Sequence, residues 1–446
     1  MTQTHPEGMR TFKIVWVGQF ASLMGTSMTR FALLIWAYQQ SGSATTLALL
    51  GFFSFITLVI FSPFAGVLVD RFDRRKVMIL ADLGAGLMTI AILLLYTTHT
   101  LQIWHLYLAE GLTGAFEAFQ NSAYSSAISV LVPRQEIARA AGMRSLASSM
   151  CQMIAPFLGG LLLTAINLQG VMLIDVATFV IAMITLFSVR FPRPAVSAVG
   201  AAAKGNFWHE LRFGFRYIAR HKGFLRLLMI FAGHNLLTGL TYSGTLPAMI
   251  LARTGGDQVA LGAVQGALGL GGVIGGLLVS ANFAPRRKIH AVLGFTALSF
   301  LFGDFLFGVG RSIPVWVIAG MSGAVFSPFI ASANAAIWQS KVPPDVQGRV
   351  LSIKDMLQPV SLPFGYLFGG LLADRVFEPL MAQGGLLAGG FGWLVGTGPG
   401  AGMGLMFICT CTLGTLIALS GYLFREVREI EEDTSMDKEV SVTEFA

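Results

Sequence analysis

Charge is scarce in this chain: Asp, Glu, Lys and Arg supply 12% of its 446 residues, hydrophobic residues supply 54%, and the mean hydropathy is +0.69. Such a composition excludes an ordinary water-soluble domain. Cysteine is equally sparse. Cys151, Cys409 and Cys411 lie in apolar runs without metal-ligand spacing, and no His cluster accompanies them, so no metal, disulfide or covalent cofactor is expected. The chain also lacks a Gly-rich phosphate loop ending in Lys-Ser or Lys-Thr, which excludes a fused ATPase and leaves a gradient as the energy source. No nucleophile and base share a membrane depth, so the reading is not an enzyme. The net charge of +7 reflects loop asymmetry and gives no reason to invoke nucleic acid.

What the chain has is long apolar runs. A helix needs roughly 20 residues to cross a hydrocarbon core of about 30 Å, and twelve stretches qualify: 12–40, 45–69, 77–97, 101–131, 145–167, 170–190, 224–252, 258–281, 289–310, 313–340, 350–374 and 399–424. They are too long and too uniformly apolar for tilted strands, so the spans are helical. The first run is too long for a signal-peptide core and should remain as the first helix. Of the 30 lysines and arginines, 26 fall in alternate loops. By the positive-inside rule those loops and both termini are cytoplasmic, and the protein is a multi-pass component of the cell membrane.

The sequence repeats itself at an offset of 210 residues. GVLVDRFDRRKV from Gly66 to Val77 corresponds to GLLVSANFAPRRKI from Gly276 to Ile289, while Val132, Pro133, Arg139, Arg144, Gly159 and Gly160 fall on Val342, Pro343, Arg349, Lys354, Gly369 and Gly370. Several matches at one offset indicate two homologous halves. The domains follow: a six-helix bundle over 1–190, a linker over 191–223, a second six-helix bundle over 224–424 and an acidic tail over 425–446. Within the linker, Phe207, Trp208, Leu211, Phe215 and Ile218 have helical spacing with arginines interleaved, as in a helix lying on the inner leaflet in contact with lipid. The Gly-rich loop from Gly384 to Gly404 reads as pliable and the tail as disordered.

Twelve helices in two sixes, with GVLVDRFDRRKV between the second and third, resemble the major facilitator superfamily of secondary transporters. Gly42, Ser43 and Ala44 after the first span and VPPDVQGRVLSIKD before the eleventh resemble its drug-exporter branch, which contains macrolide efflux and enterobactin export proteins. The resemblance implies an all-α membrane protein of two pseudo-symmetric six-helix bundles, working as a monomer by alternating access. It also implies that the first cytoplasmic loop is a latch for the outward-facing state. Gly66 would permit close packing, Asp70 would meet a helix end, and Arg71, Arg74, Arg75 and Lys76 would pair with carboxylates, Asp355 among them. The alternative is that these cations only set topology. Exporters of the superfamily carry Gly-Pro-x-x-Gly-Gly in the fifth helix; here APFLGG keeps Pro156, Gly159 and Gly160 and departs at Ala155. Proline there should kink the helix while the glycines admit a neighbour.

Ionisable residues within the spans are costly unless paired or hydrated. Arg30 lies roughly 13 Å inside the outer end of the first span, Glu110 about 10 Å inside that of the fourth, and Glu117 roughly 10 Å deeper. By depth Arg30 should pair with Glu110. Glu117, unpaired near mid-membrane, would then carry the proton of an antiport cycle; the alternative is a glutamate that only packs helices. Asp175 and Asp304 should snorkel to water. In the family fold the cavity is lined by the first, fourth, seventh and tenth helices, which offers Phe31, Trp36, Gln120, Asn121, Tyr124, His234, Asn235, Asn334 and Trp338 as substrate contacts. The expected function is proton-coupled export of lipophilic or amphipathic small molecules, macrolides among them. The alternatives are a dedicated exporter of a siderophore or other natural product, and a membrane sensor or scaffold.

Overall fold

The computed structural model describes residues 6–189, 191, 207–281, 283, 285, 287–343 and 346–432. The expected Pro- and Ala-rich linker at 192–206 and the tail beyond 432 lie outside the described residues, as do the side chains of Asp70, Arg71 and residues 207–211. The described residues are helical, as the lipid requirement for internally satisfied backbone groups demands. Ten stretches are long and apolar enough to cross a membrane, from Met9–Ser41 and Ala44–Gly66 to Ala401–Leu423. One of them, Arg139–Ser188, is 50 residues long and is interrupted at Asn167 (φ 58°, ψ 175°), a strained conformation otherwise essentially confined to Gly. It therefore holds the fifth and sixth spans. The fourth helix, Ile103–Leu131, is not among the ten because Glu117, Gln120 and Asn121 make it too polar. With it, the described residues hold twelve membrane-length helices.

Local sequence sets the helix ends. Gly42 takes φ 61° and Ser43 accepts the amide of Thr46 at 3.3 Å, so the first two helices are joined by a two-residue turn capped at its exit. Asp73 caps the third helix by accepting the amides of Arg75 (2.9 Å) and Lys76 (3.4 Å).

The chain forms two compact units. The first comprises Met1–Ala195 with Gly244–Gly269. Here the first helix packs along Ile137–Ser188, and the second and third pack on the fourth, enclosing a core that includes Phe12, Met78, Ile128 and Leu186. Lipid gives helices little hydrophobic reason to associate, so small residues decide where backbones approach. The eighth span, Gln258–Ser280, meets the fifth on such a seam. A methyl group at Gly262 would stand 2.6 Å from the Pro156 carbonyl oxygen, one at Gly269 2.5 Å from Met153 Cα, and one at Gly160 2.7 Å from the Gln258 carbonyl oxygen. The dihedrals stay helical through Pro156; the departure expected there occurs at Asn167, where the chain turns between spans.

The second unit comprises Val196–Ser243 with Leu270–Ala446. Three expectations change here. The helix Phe207–Arg220 packs on Gln347–Leu357, with Tyr217 and Ile218 in a core that also holds Phe224, Trp338 and Ile353, so protein rather than lipid covers those side chains; Phe215 stays exposed. The Gly-rich loop is built rather than pliable. It contains the helix Ala388–Val395, and Glu378 accepts the amides of Gly400 (3.1 Å) and Met403 (2.9 Å). The start of the tail is ordered: Val427 and Ile430 are buried in the same core, Glu431 accepts the amides of Lys288 and Ile289 at 3.1 Å, and Arg287 pairs with Glu432 at 2.6 Å. Those amides head the ninth helix, where a carboxylate is favourable.

Gly269→Leu should overpack the seam between the fifth and eighth spans and cost about 1–3 kcal/mol, read as a lower melting temperature in detergent. Gly272→Leu, with open space around it, should melt as the parent does. Ile430→Asp should lower the melting temperature too, because it buries a carboxylate in an apolar cluster.

Candidate functional site

The first unit encloses a cavity of about 310 Å³. Its wall combines Trp16, Phe20, Phe116, Tyr124 and Phe179 with Gln19, Arg30, Asp82, Glu117, Gln120, Asn121, Arg144 and Asp175. Trp16 and Phe20 are stacked, ring centres 5.6 Å apart, and the Trp16 indole donates to the Met143 carbonyl at 2.9 Å.

Three polar groupings meet here, each with its own way of compensating charge. In the first, Arg30 Nη2 donates to Glu117 Oε2 at 3.1 Å while its Nε lies 3.5 Å from Glu110 Oε2. The seven-residue spacing of the glutamates puts both on one face of the fourth helix, two turns apart, so one guanidinium spans them. The expected pairing is thus corrected: Arg30 holds both glutamates and sits closer to Glu117, so Glu117 is not unpaired. In the second grouping, Arg144 donates to Asn121 Oδ1 at 2.9 Å and lies 5.3 Å from the Tyr124 ring centre, a cation–π distance. In the third, Gln19 Nε2 donates to Asp82 Oδ2 at 2.7 Å and Gln120 Nε2 donates to Gln19 Oε1 at 2.6 Å.

Asp82 is a cavity residue that sequence reasoning missed. It stands alone in the apolar run VMILADLGAGLM, and its partner is 63 residues away. A carboxylate in a hydrophobic run was the available signal. Asp175 and Asp304 are also corrected, since both are buried rather than snorkelled. Asp175 accepts hydroxyls of Thr26 (3.0 Å) and Thr89 (3.1 Å), and Asp304 those of Tyr242 (2.7 Å) and Thr410 (2.6 Å). Those hydroxyl donors take the place of water.

The remaining sequence candidates divide. Gln120, Asn121 and Tyr124 line the cavity. Phe31 is buried and would lie 3.0 Å from a methyl group at Gly159; it packs on the fifth helix, and neither it nor Trp36 lines the cavity. In the second unit, Asn235 donates to the Gln358 carbonyl (2.7 Å) and Asn334 to its side-chain oxygen (3.1 Å), so Gln358 joins two candidates and was itself missed. His234 stands edge-on to Phe231 and Phe300. Trp338 is 1% exposed and stacked 4.2 Å from Phe224, which makes it core rather than a ligand contact.

The latch residues also differ from expectation. Gly66 is exposed, and a methyl group added to it would meet nothing within 4 Å, so close packing is not its role. Arg75 donates to the carbonyls of Leu186 (2.8 Å) and Phe187 (2.9 Å). It thereby satisfies the end of the sixth helix, where a cation is favourable, instead of pairing with a carboxylate. Arg74 is partly buried and Lys76 exposed. Asp355 pairs with neighbouring Lys354 at 2.8 Å.

Membrane-length helices and a cavity lined by paired charges set the frame for the comparison with known proteins. Residues 15–365 match the family model of the Major Facilitator Superfamily, and the chain belongs to that family. It is 27% identical over 372 residues to macrolide efflux protein A of Streptococcus pyogenes, covering 82% of this chain and 90% of the relative. It is 24% identical over 407 residues to the enterobactin exporter EntS of Shigella boydii, covering 89% of this chain and 91% of the relative. In fold it is similar to the inward-facing crystal structure of a bacterial homologue of the human lysosomal transporter Spinster, with a TM-score of 0.67, 17% identity and coverage of 96% and 98%.

Arg30→Met should leave two carboxylates facing each other without their cation. A stability loss of about 2 kcal/mol is expected, with the melting temperature partly restored in Arg30→Met/Glu117→Gln.

Proposed function

We propose that the protein is an exporter of lipophilic or amphipathic small molecules, macrolides among them, driven by proton antiport and alternating access. The observation that carries this reading is the cavity, whose aromatic side chains can hold an apolar body beside carboxylates and guanidiniums. Similarity to a macrolide efflux protein supports the substrate class. Arg30 shared by Glu110 and Glu117 leaves one net negative charge, the amount that a single proton would cancel; this cluster is assigned to coupling. Gln120, Asn121 and Tyr124 are assigned to the substrate.

The close seam at Pro156, Gly159 and Gly160 supports a rigid wall that limits leakage in an exporter. The loop carrying Asp70, Arg71, Arg74, Arg75 and Lys76 is assigned to holding the outward-facing state. The protein works as a monomer in the cell membrane with both termini cytoplasmic. A second reading, dedicated export of an anionic natural product such as a siderophore, draws on the similarity to an enterobactin exporter and on Arg30 and Arg144 in the cavity wall.

Proteoliposomes under an imposed pH gradient test both readings. Erythromycin or ethidium should trigger proton movement under the first and a catechol siderophore under the second. Glu117→Gln should reduce the triggered flux at least about tenfold while ligand still binds, a loss of transition rather than affinity. Undiminished flux would remove Glu117 from coupling.

A further inference from the structure

Among the described residues no cation lies within ion-pair distance of Asp82, and the hydrogen bonds leading away from it end at the cavity wall. The charged and titratable groups around it are accounted for element by element. From the first helix, Arg30 is engaged by Glu117 and Glu110. On the fourth, Glu117 is bonded to Arg30, and the Tyr124 hydroxyl is buried without a hydrogen-bond partner. On the fifth, Arg144 is bonded to Asn121. On the sixth, Asp175 accepts two threonine hydroxyls. Among the described residues none of these cations comes within ion-pair distance of Asp82; its hydrogen bond is to the neutral Gln19 amide.

The direction of the chain follows from donor and acceptor chemistry. An ionised carboxylate only accepts, so Gln19 must turn its NH₂ to Asp82 and its oxygen to Gln120. Gln120 must then spend its NH₂ on Gln19, which leaves Gln120 Oε1 buried at the cavity wall with no partner. A proton on Asp82 makes it a donor. The chain can then reverse, from Asp82 O–H to Gln19 oxygen and from Gln19 NH₂ to Gln120 oxygen, so that Gln120 presents NH₂ to the cavity. Two amides thus convert one proton into an exchange of acceptor for donor where the ligand sits.

We propose that Asp82, acting through Gln19 and Gln120, is a proton-controlled hydrogen-bond switch that makes the cavity bind amphiphiles bearing a protonated amine when Asp82 is ionised and release them when it is protonated. This rests on the exporter reading and names its substrate class. With Asp82 ionised, Gln120 Oε1 accepts from the ligand ammonium while Trp16, Phe20, Phe116 and Phe179 surround its apolar body. With Asp82 protonated, an N–H dipole faces that ammonium and binding weakens. The proton enters from cavity water and leaves the same way, and no covalent step is involved.

Two measurements on the purified full chain test this. Binding of erythromycin and of dodecyldimethylamine, each carrying a tertiary amine that is protonated at neutral pH, is followed by tryptophan fluorescence from acid to neutral pH. Independently, pH-difference infrared spectra without ligand follow the carbonyl band of a protonated carboxyl group. Wild type should lose affinity about tenfold per pH unit below the transition and should show a titrating band. Asp82→Asn should bind weakly at every pH and lack that band. Gln19→Leu should keep the band while its affinity depends far less on pH.

A band and a binding profile unchanged in Asp82→Asn would overturn the switch and leave the exporter reading standing. If neither amine binds wild type but a catechol siderophore does, the amine class is overturned. Binding of none of the three by folded protein would overturn the exporter reading, and the substrate assignment with it, even if the infrared band is lost in Asp82→Asn.

Discussion

A charge inside a bilayer must bring its compensation with it, and most of the first unit is arranged around that demand. Arg30 holds Glu110 and Glu117, Arg144 finds an amide oxygen and an aromatic face, and Asp175 is surrounded by threonine hydroxyls. Each solution recruits a different neighbour, so the polar side chains determine which helices face one another around the cavity. The glycines then determine how near those helices come. Gly114 on the fourth helix leaves no room for a methyl group against the Ser54 carbonyl of the second, which brings Ser54 to 3.5 Å from Arg30.

The fourth helix bears the cost of this arrangement. It is long enough to cross a membrane, yet its polar residues make it less apolar than the ten stretches that qualify on composition. Its stability in lipid depends on Arg30 and Gln19 from the first helix and Arg144 from the fifth. Function and folding therefore draw on the same bonds. A substitution that frees a cavity group for a ligand also weakens the packing of the helix that carries it.

Spans and helical class were legible because they depend on local composition. The glutamates were legible as a pair because seven residues is nearly two helical turns, but their sharing of Arg30 was not, since depth along separate helices does not specify rotation about them. Asp82 was missed for a related reason: one carboxylate in an apolar run acquires meaning only when Gln19 and Gln120 are placed beside it. Trp338 and Phe31 looked like ligand contacts because an aromatic in a membrane helix has the same signature whether it faces a cavity or Phe224. Arg75 was read as pairing with a carboxylate, but helix-end carbonyls accept its donors instead, and nothing in the loop distinguishes the two kinds of acceptor.

The ordered start of the tail has a consequence for biosynthesis. Glu431 closes the head of the ninth helix from 143 residues downstream of Lys288, and Ile430 fills the core beneath it. A ribosome must therefore complete three further membrane helices before that head acquires its cap. Until then that end of the ninth helix waits with open amides and an unfilled apolar hollow, the kind of exposed apolar surface that makes chaperones necessary. Completion of the second unit is thus a timed event, set by arrival of Ile430 and Glu431 rather than by insertion of the ninth helix itself.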